Sequence, residues 1–193
     1  QDNTGGLAGA TGAAPTTGDY TKAGVTGVTT GNVAAINDVL ASKAVDGAAA
    51  DTPAEIQAIV DAYNKVLAAA DGTDGNAAAA PSAADYSAIG VAGTTDASAK
   101  LLSDMVDGLA ATAVDTVAEL QALADAAKAA VDYTGAAGQT APTAEQLNAI
   151  AGGAGVTADN LAAVQAAVAA ANADADGKPV TQAELQAIIK AIS

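Results

Sequence analysis

Three related stretches decide the fold: DTPAEIQAIVDA at 51–62, DTVAELQALADA at 115–126 and VTQAELQAIIKA at 180–191. In each stretch a Thr is followed three residues later by a Glu, and apolar residues then recur at intervals of three and four. This Thr and Glu can satisfy each other's backbone amides at a helix start, and the apolar spacing places one hydrophobic face on the helix. Each stretch therefore predicts the start of an amphipathic helix.

Two further blocks recur in the same order ahead of these stretches. One is PTTGDY at 15–20, PSAADY at 81–86 and PTAEQL at 142–147; the other is GVTTGNVAAI at 27–36, GTTDASAKLL at 93–102 and GVTADNLAAV at 155–164. Repetition at a fixed spacing is typical of tandem structural units. The pattern predicts an all-α protein of three tandem three-helix units, each with a short helix, a Gly-Val turn and two longer helices, nine helices in total.

The helix boundaries follow from the same blocks. We expect every helix to open on a hydroxyl residue, with the first helices after Thr16, Ser82 and Thr143 and the middle helices at Thr29, Thr95 and Thr157. The first helices should end at glycines in the left-handed conformation, at Gly24, Gly90 and Gly152 or Gly153.

The predicted organisation divides the chain into six segments. These are an N-terminal arm or flexible linker at 1–15, helical repeat 1 at 16–71, a linker at 72–81, helical repeat 2 at 82–134, a linker at 135–142 and helical repeat 3 at 143–193. The arm is interpreted either as connecting chain or as a segment that docks on a neighbouring subunit. The repeats form either an array with contacts between neighbours or independent bundles on flexible linkers.

The composition explains why neighbouring contacts are expected. Of 193 residues, 58 are Ala, and Val, Ile, Leu, Met and Tyr together number only 40. A unit of about 50 residues with so few large side chains exposes much of its surface, so adjacent repeats or other copies of the chain should cover what remains.

The composition also excludes several classes of protein. The net charge of −15 disfavours nucleic acid as a partner, because phosphate binding requires a basic surface. The chain has no Cys and no His, which excludes disulfides and disfavours structural zinc. The sequence has no run of 18 or more apolar residues, so it predicts no transmembrane segment. The chain begins at Gln1 without a signal segment, which favours a processed secreted protein or a piece of a longer one.

The stretch NADADGK at 172–178 is the main candidate cation site, and the acidic loop at 71–76 is a weaker one because no acid follows it at loop distance. Oxygen ligands at Asn172, Asp174 and Asp176, with the Lys178 carbonyl, resemble the first half of a calcium-binding loop. A proline follows Lys178, and the next acid, Glu184, comes one position late and is also required for a helix cap. The alternatives are a calcium site and a solvated acidic turn; no other cofactor is expected.

Catalysis is not expected from this sequence. There is no His base, Cys nucleophile or Arg clamp, and each of the four Glu residues lies at or near a predicted helix start, where a structural role accounts for it. We therefore expect a protein that is not an enzyme.

The stretches VTADNLAAVQAAVAAANA at 156–173 and DTVAELQALADAAKAAV at 115–131 resemble the alanine-rich helical repeats that occur in tandem in very large secreted bacterial surface proteins of the adhesin and biofilm-matrix class. The resemblance covers residues 16–193. It implies an extracellular location at the bacterial surface and a spacer, adhesive or matrix-building role, and it transfers no catalytic residue.

Two functional classes follow from these observations. The first is a structural protein, either a self-assembling filament, sheath or surface-layer subunit or a stalk segment of an adhesin, whose partners are copies of itself or neighbouring repeats. The alternative is a three-helix surface module that recognises a host, cell-surface or matrix protein. The absence of Arg, Trp and Phe counts against the second class, because such residues anchor most interfaces.

Overall fold

The computed structural model describes residues 13–42, 45, 47–73, 80–174 and 180–193. Within these ranges the chain forms nine α-helices and no β-strand, and the nearest approach to a sheet is one antiparallel bridge between Asp71 and Ala110. The helices are α1 (Thr17–Lys22), α2 (Val33–Ala41), α3 (Pro53–Ala69), α4 (Ala83–Ala88), α5 (Asp96–Asp107), α6 (Val117–Asp132), α7 (Ala144–Ala151), α8 (Leu161–Asp174) and α9 (Gln182–Ile192). The predicted all-α class and helix number are confirmed for the described residues; the grouping into three units remains an interpretation of the sequence repeats.

Most helices start where the capping residues predict. Seven of the nine follow a Thr or Ser cap, and in six of these the hydroxyl accepts a hydrogen bond from the backbone N–H three residues later. At α3, for example, the Glu55 N–H donates to the Thr52 hydroxyl, and the Thr52 N–H donates to the Glu55 carboxylate at 2.9 Å. Such caps stabilise a helix by about 0.5–2 kcal/mol each.

The prediction that all nine helices open on a hydroxyl residue is wrong for α2 and α8. These helices begin at Val33 and Leu161, four residues after the expected Thr29 and Thr157. Asn32 accepts no side-chain bond from the N–H groups of α2 but holds the preceding turn, because the Thr29 N–H donates to Asn32 Oδ1 at 2.6 Å. The Thr157 N–H likewise donates to the Asn160 side chain at 2.7 Å. The intervening residues form a turn instead of regular helix.

The ends of the short first helices confirm the glycine prediction. Gly24, Gly90 and Gly152 have φ values of +80°, +87° and +71°, which favour glycine over residues with a Cβ. In α1 the Gly24 N–H donates to the Thr21 carbonyl, and the Val25 N–H donates to the Tyr20 carbonyl. These two bonds form a Schellman motif, which turns the chain sharply toward the next helix.

Side chains of the second helix of each repeat fasten the start of the first helix. The carbonyls of Pro15, Pro81 and Pro142 accept hydrogen bonds of 2.8–2.9 Å from the side chains of Asn37, Ser103 and Gln165.

In the first two repeats a buried tyrosine hydroxyl joins this arrangement. The Tyr20 hydroxyl donates to the side-chain oxygen of Asn37 at 2.5 Å. The Tyr86 hydroxyl lies 3.2 Å from that of Ser103, and because Ser103 donates its only proton to the Pro81 carbonyl, Tyr86 is the donor. Burial raises the pKa of Tyr20 to about 12, so this donor keeps its proton at ordinary pH.

Helices pack across the boundaries between the sequence repeats. α3 contacts α4 and α5, α6 contacts α7 and α8, and α5 contacts α9. Two polar interactions strengthen the boundary between repeats 1 and 2: the buried Tyr63 hydroxyl donates to the Val114 carbonyl at 2.7 Å, and Lys65 pairs with Asp85 at 2.7 Å. These contacts favour an array of interacting repeats over independent bundles.

Alanine contributes directly to the core. Ala124, Ala126, Ala127 and Ala130 of α6 are all buried, and they lie on the helix that contacts α5, α7 and α8. Side chains this small allow helix backbones to approach closely, because dispersion attraction requires nearly touching atoms. The close approach replaces part of the burial that larger side chains would supply.

The segment predicted as a linker at 135–142 is a closed turn. The Gln139 side chain accepts from the Thr134 N–H at 2.9 Å and donates to the Asp132 carbonyl at 3.1 Å, which fastens the segment to the end of α6. The linker predicted at 72–81 lies largely outside the described residues, as do residues 1–12 of the predicted arm. None of the described helices has both the length and the apolar character required to cross a membrane.

The bond between Tyr63 and Val114 gives a test of the packing between repeats. Tyr63→Phe leaves the buried Val114 carbonyl without this donor, and we expect the free energy of unfolding to fall by about 1–3 kcal/mol. Urea denaturation followed by circular dichroism measures the change. Tyr133→Phe is the matched control, because Tyr133 is only half-buried and should change stability little; equal losses in both variants would contradict the assigned role of the Tyr63 bond.

Candidate functional site

The predicted calcium-binding residues lie partly within the described chain. Asn172 is in the last turn of α8, where its side-chain nitrogen donates to the carbonyls of Ala130 and Tyr133, both at 2.7 Å. Asp174 ends the same helix and is exposed. Asp176 and Lys178 lie outside the described residues, so the calcium site stays a prediction.

Asn172 has a structural role that sequence reasoning missed. By bonding two carbonyls near the end of α6, it fastens α8 to the preceding repeat. Elsewhere in the described ranges, no cluster of three or more His, Cys, Asp or Glu side chains is arranged to hold a metal ion.

The glutamates of the three opening stretches are held in capping positions. Glu184 of α9 accepts from the Thr181 backbone N–H at 2.8 Å and from the Thr181 hydroxyl at 2.9 Å. These two hydrogen bonds lower the pKa of Glu184 from its ordinary value of 4.5, since they stabilise the charged carboxylate. The carboxylate therefore stabilises the helix start.

A second group of carboxylates lies where repeats 1 and 2 meet, and here the pKa of one acid is raised instead of lowered. The Val117 N–H donates to Asp38 of α2 at 2.9 Å, which brings Asp38 close to the start of α6. Burial, followed by the negative charges of Glu119 and Asp38, raises the pKa of Asp115. The three acids repel one another, and nothing in their arrangement points to a ligand.

The most regular feature across the repeats is a glutamine that holds the turn between the first two helices. In repeat 1, Gln57 of α3 accepts from the Thr26 N–H at 2.7 Å and donates to the Thr26 carbonyl at 3.1 Å. In repeat 2, Gln121 of α6 makes the same pair of bonds to Ala92, with the same two distances. Each glutamine therefore binds the backbone of one turn residue through both its amide atoms.

An apolar side chain accompanies each of these glutamine contacts. Val25 precedes Thr26, and Val91 precedes Ala92; the two valines are 2% and 1% exposed. Glycines with positive φ flank both pairs, at 24 and 27 in the first repeat and at 90 and 93 in the second. The bound turn thus has the sequence Gly, apolar residue, Thr or Ala, Gly.

Repeat 3 departs from this pattern at the same turn. Gly153 stands where the other repeats have a buried valine, within the sequence Gly152-Gly153-Ala154-Gly155. Asn148 holds this turn from within the first helix, since its side-chain oxygen accepts from the N–H groups of Gly155 and Val156 at 2.9 and 2.8 Å. Asn148 therefore takes the place of the glutamine contact, while the Ser193 hydroxyl at the end of α9 still donates to the Gly155 carbonyl at 3.0 Å, as Asn64 of α3 does to the Gly27 carbonyl.

The consequence is an open cleft between the turn and α9. The cleft has a volume of about 450 Å³ and is lined by Ala151, Gly153, Ala154, Gly155, Gln186, Ile189, Lys190 and Ser193. Gln186 corresponds to Gln57 and Gln121, yet among the described residues it makes no hydrogen bond to the turn and lies along the cleft. A Cβ added at Gly153 would have no atom within 4 Å. Repeat 3 therefore keeps the glutamine but lacks the apolar side chain.

A second difference concerns the exposed face of α9. Ala62 of α3 and Ala126 of α6 are buried, whereas the corresponding Ala191 of α9 is exposed. Tyr63 and Ala127 are fully buried, whereas the corresponding Ile192 is only half-buried. α3 and α6 both pack against the first helix of a following repeat, whereas within the described residues α9 has no helix of a following repeat against the same face.

Comparison of the chain with protein-family models, curated proteins and solved structures found no match. The candidate functional site therefore rests on the geometry of α9, its open face and the adjoining cleft. The glutamine of this site can be recognised in the sequence, because a Gln follows the capping Glu by two residues in all three opening stretches. The loss of the valine at Gly153 is visible only when the turns are aligned by structure.

The glutamine contacts give a paired test. Gln121→Ala removes both hydrogen bonds to Ala92, and we expect it to lower the free energy of unfolding by about 1 kcal/mol. Gln186→Ala removes no bond to its turn and should leave stability nearly unchanged. Thermal unfolding of the two variants measures the difference, and an equal loss in both would show that Gln186 also holds its turn.

The Glu184 cap gives a test in pH. Because the pKa of Glu184 is lower in the folded state, its stabilising contribution is present above the unfolded value near 4.5 and is lost as pH falls through the folded pKa. Glu184→Gln keeps a capping side chain, as Gln146 does at α7 with a Thr143 N–H bond of 2.9 Å. We expect this variant to melt below the wild type at pH 7 and level with it once the pH is well below the folded pKa; a difference that does not change with pH would contradict the role of the charge.

Proposed function

We propose that this chain is a non-enzymatic structural protein that assembles end to end through the open face of α9. It would serve as a subunit of a filament, sheath or surface layer, or as a stalk segment, at the bacterial cell surface. The extracellular location rests on the resemblance of its repeats to those of secreted surface proteins. The absence of enzymatic activity rests on the missing His, Cys and Arg side chains.

The exposed face of α9 carries the assembly proposal. In α3 and α6 the corresponding face is buried in a chain whose repeats cover one another. On α9, Ala191 is exposed and Ile192 is half-buried. A helix of a further repeat, either in a longer protein or in a second copy, would bury this face of α9. Helices of repeats 2 and 3 bury the corresponding faces of α3 and α6 in the same way.

The other end of the chain differs in a way that favours a directional contact. Ile89 of repeat 2 and Ile150 of repeat 3 are fully buried at the ends of their first helices, whereas repeat 1 has the exposed Ala23 at the corresponding place. Asp19 and Lys22 are also exposed on α1. The two ends therefore present different surfaces, and contacts between unlike surfaces produce open chains or rings.

Assembly and the role of the α9 face can be tested together. We expect the purified chain to form filaments or lattices in negative-stain microscopy and larger species as concentration rises in analytical ultracentrifugation. Ala191→Glu places a charge in the proposed close contact and should raise the concentration required for assembly by at least about tenfold, which corresponds to about 1.4 kcal/mol.

The matched control is Ala187→Glu, one turn earlier on the same helix. Ala187 and its counterparts Ala58 and Ala122 are exposed in all three repeats, so a charge there should leave assembly unchanged. A wild-type chain that stays monomeric at every concentration would contradict self-assembly. Equal effects of the two substitutions would contradict the role of this face.

A further inference from the structure

The cleft of repeat 3 lacks one apolar side chain and holds an amide that could bind a turn backbone. In repeats 1 and 2 the equivalent space is filled from within the repeat, by Val25 with Thr26 and by Val91 with Ala92, whose backbones bind Gln57 and Gln121. These two turns define what the cleft beside Gln186 would accept. The ligand is a short peptide with an apolar residue, a following residue with free backbone N–H and C=O groups, and a glycine on either side.

Segments 6–9, 9–12 and 135–138 also follow the pattern of glycine, apolar residue, Thr or Ala, and glycine, but only 6–9 has a large apolar residue at the second position. Gly6-Leu7-Ala8-Gly9 matches Gly90-Val91-Ala92-Gly93 at both glycines and at the alanine, and it has an apolar residue where repeat 2 has its buried valine. Leu7 is also the one large apolar residue among residues 1–14. Both positions that require positive φ in repeat 2, at 90 and 93, have glycine counterparts in this segment.

We propose that Gly6–Gly9 of one copy docks in the repeat 3 cleft of a second copy, with Leu7 in the space beside Gly153 and the Ala8 backbone bound by the Gln186 amide. This inference rests on the proposed end-to-end assembly and names the segment that forms the junction. The cleft adjoins the open face of α9, since Ile189 and Lys190 line it and Ala191 lies beside them.

The positions of the arm and the cleft favour a second copy over the same chain. The arm leads into α1 of repeat 1, whereas the cleft belongs to repeat 3. The helices of both repeats pack mainly against repeat 2, and no extensive helix contact joins repeats 1 and 3 in the described ranges. From Ala13, the first described residue, Leu7 can reach at most about 20 Å along extended chain.

The charge of the cleft also suits this arm. Lys190 lines the cleft in a chain with a net charge of −15, so the site has a cation at a surface that is otherwise acidic. The arm has one charged residue in its first fourteen, Asp2, and therefore adds little repulsion when it approaches another acidic copy.

Two complementary variants test the junction. Leu7→Gly removes the docking side chain but keeps the cleft, whereas Gly153→Val restores the apolar side chain that repeats 1 and 2 have at this turn position but keeps the arm. Val should fit at 153 because an added Cβ meets no atom within 4 Å and this glycine is outside the positive-φ set. We expect each variant alone to stay monomeric in sedimentation equilibrium at concentrations where the wild type assembles.

A mixture of the two variants gives the decisive measurement. In an equal mixture, the intact arm of Gly153→Val can enter the intact cleft of Leu7→Gly, and neither product can extend further. We therefore expect a one-to-one dimer and no larger species. Thr4→Gly, a change in the arm outside the matching segment, is the control and should assemble as the wild type does.

The outcomes separate this inference from the proposed function. If the wild type assembles and both variants assemble equally well, the arm junction is wrong and the assembly proposal stands. If the wild type is monomeric at every concentration, both are wrong. A mixture that stays monomeric also contradicts the junction. Should Gly153→Val lose its helical circular dichroism, Gln186→Ala replaces it, with an expected weakening of the junction of about tenfold.

Discussion

The close packing of helices against one another across the repeat boundaries is the contact on which the rest of this structure depends. With only 40 large apolar residues in 193, no three-helix segment can build an ordinary core by itself. α3 and α6 each bury alanines such as Ala62 and Ala126 on a face that approaches the next repeat. The same requirement draws attention to α9, whose Ala191 is exposed in the described part of the chain where Ala62 and Ala126 are buried.

Polar side chains supply the precision that large apolar side chains supply in other proteins. Gln57 and Gln121 bind turn backbones, Asn37 and Ser103 bind the carbonyl that precedes the first helix, and Asn172 joins α8 to the end of α6. Each bond contributes modestly because water competes for the same groups in the unfolded chain. Their regular positions nevertheless select one arrangement of helices among the several that similar alanine-rich faces would allow.

The all-α fold could be predicted because it depends on local patterns. Capping residues and apolar spacing act within one or two helical turns, so Thr52 with Glu55 and Thr116 with Glu119 give the starts of α3 and α6 correctly. The starts of α2 and α8 were predicted four residues early, because Asn32 and Asn160 also donate to the carbonyls of Gly27 and Gly155 and so hold a turn ahead of each helix. The candidate calcium residues Asp176 and Lys178 lie outside the described residues, and that prediction remains open.

The sequence by itself determined the helix class, most helix starts and the glycine turns, since each depends on residues adjacent in the chain. Only the tertiary structure decided the roles of Gln57, Gln121 and Gln186, which share one sequence context and differ in what lies opposite them. Gln57 binds the turn residue Thr26, 31 positions away, whereas Gln186 lines a cleft and Asn148 and Ser193 bind the turn of its repeat. A side chain's partner across such distances depends on how the helices pack, and packing arises from the whole chain.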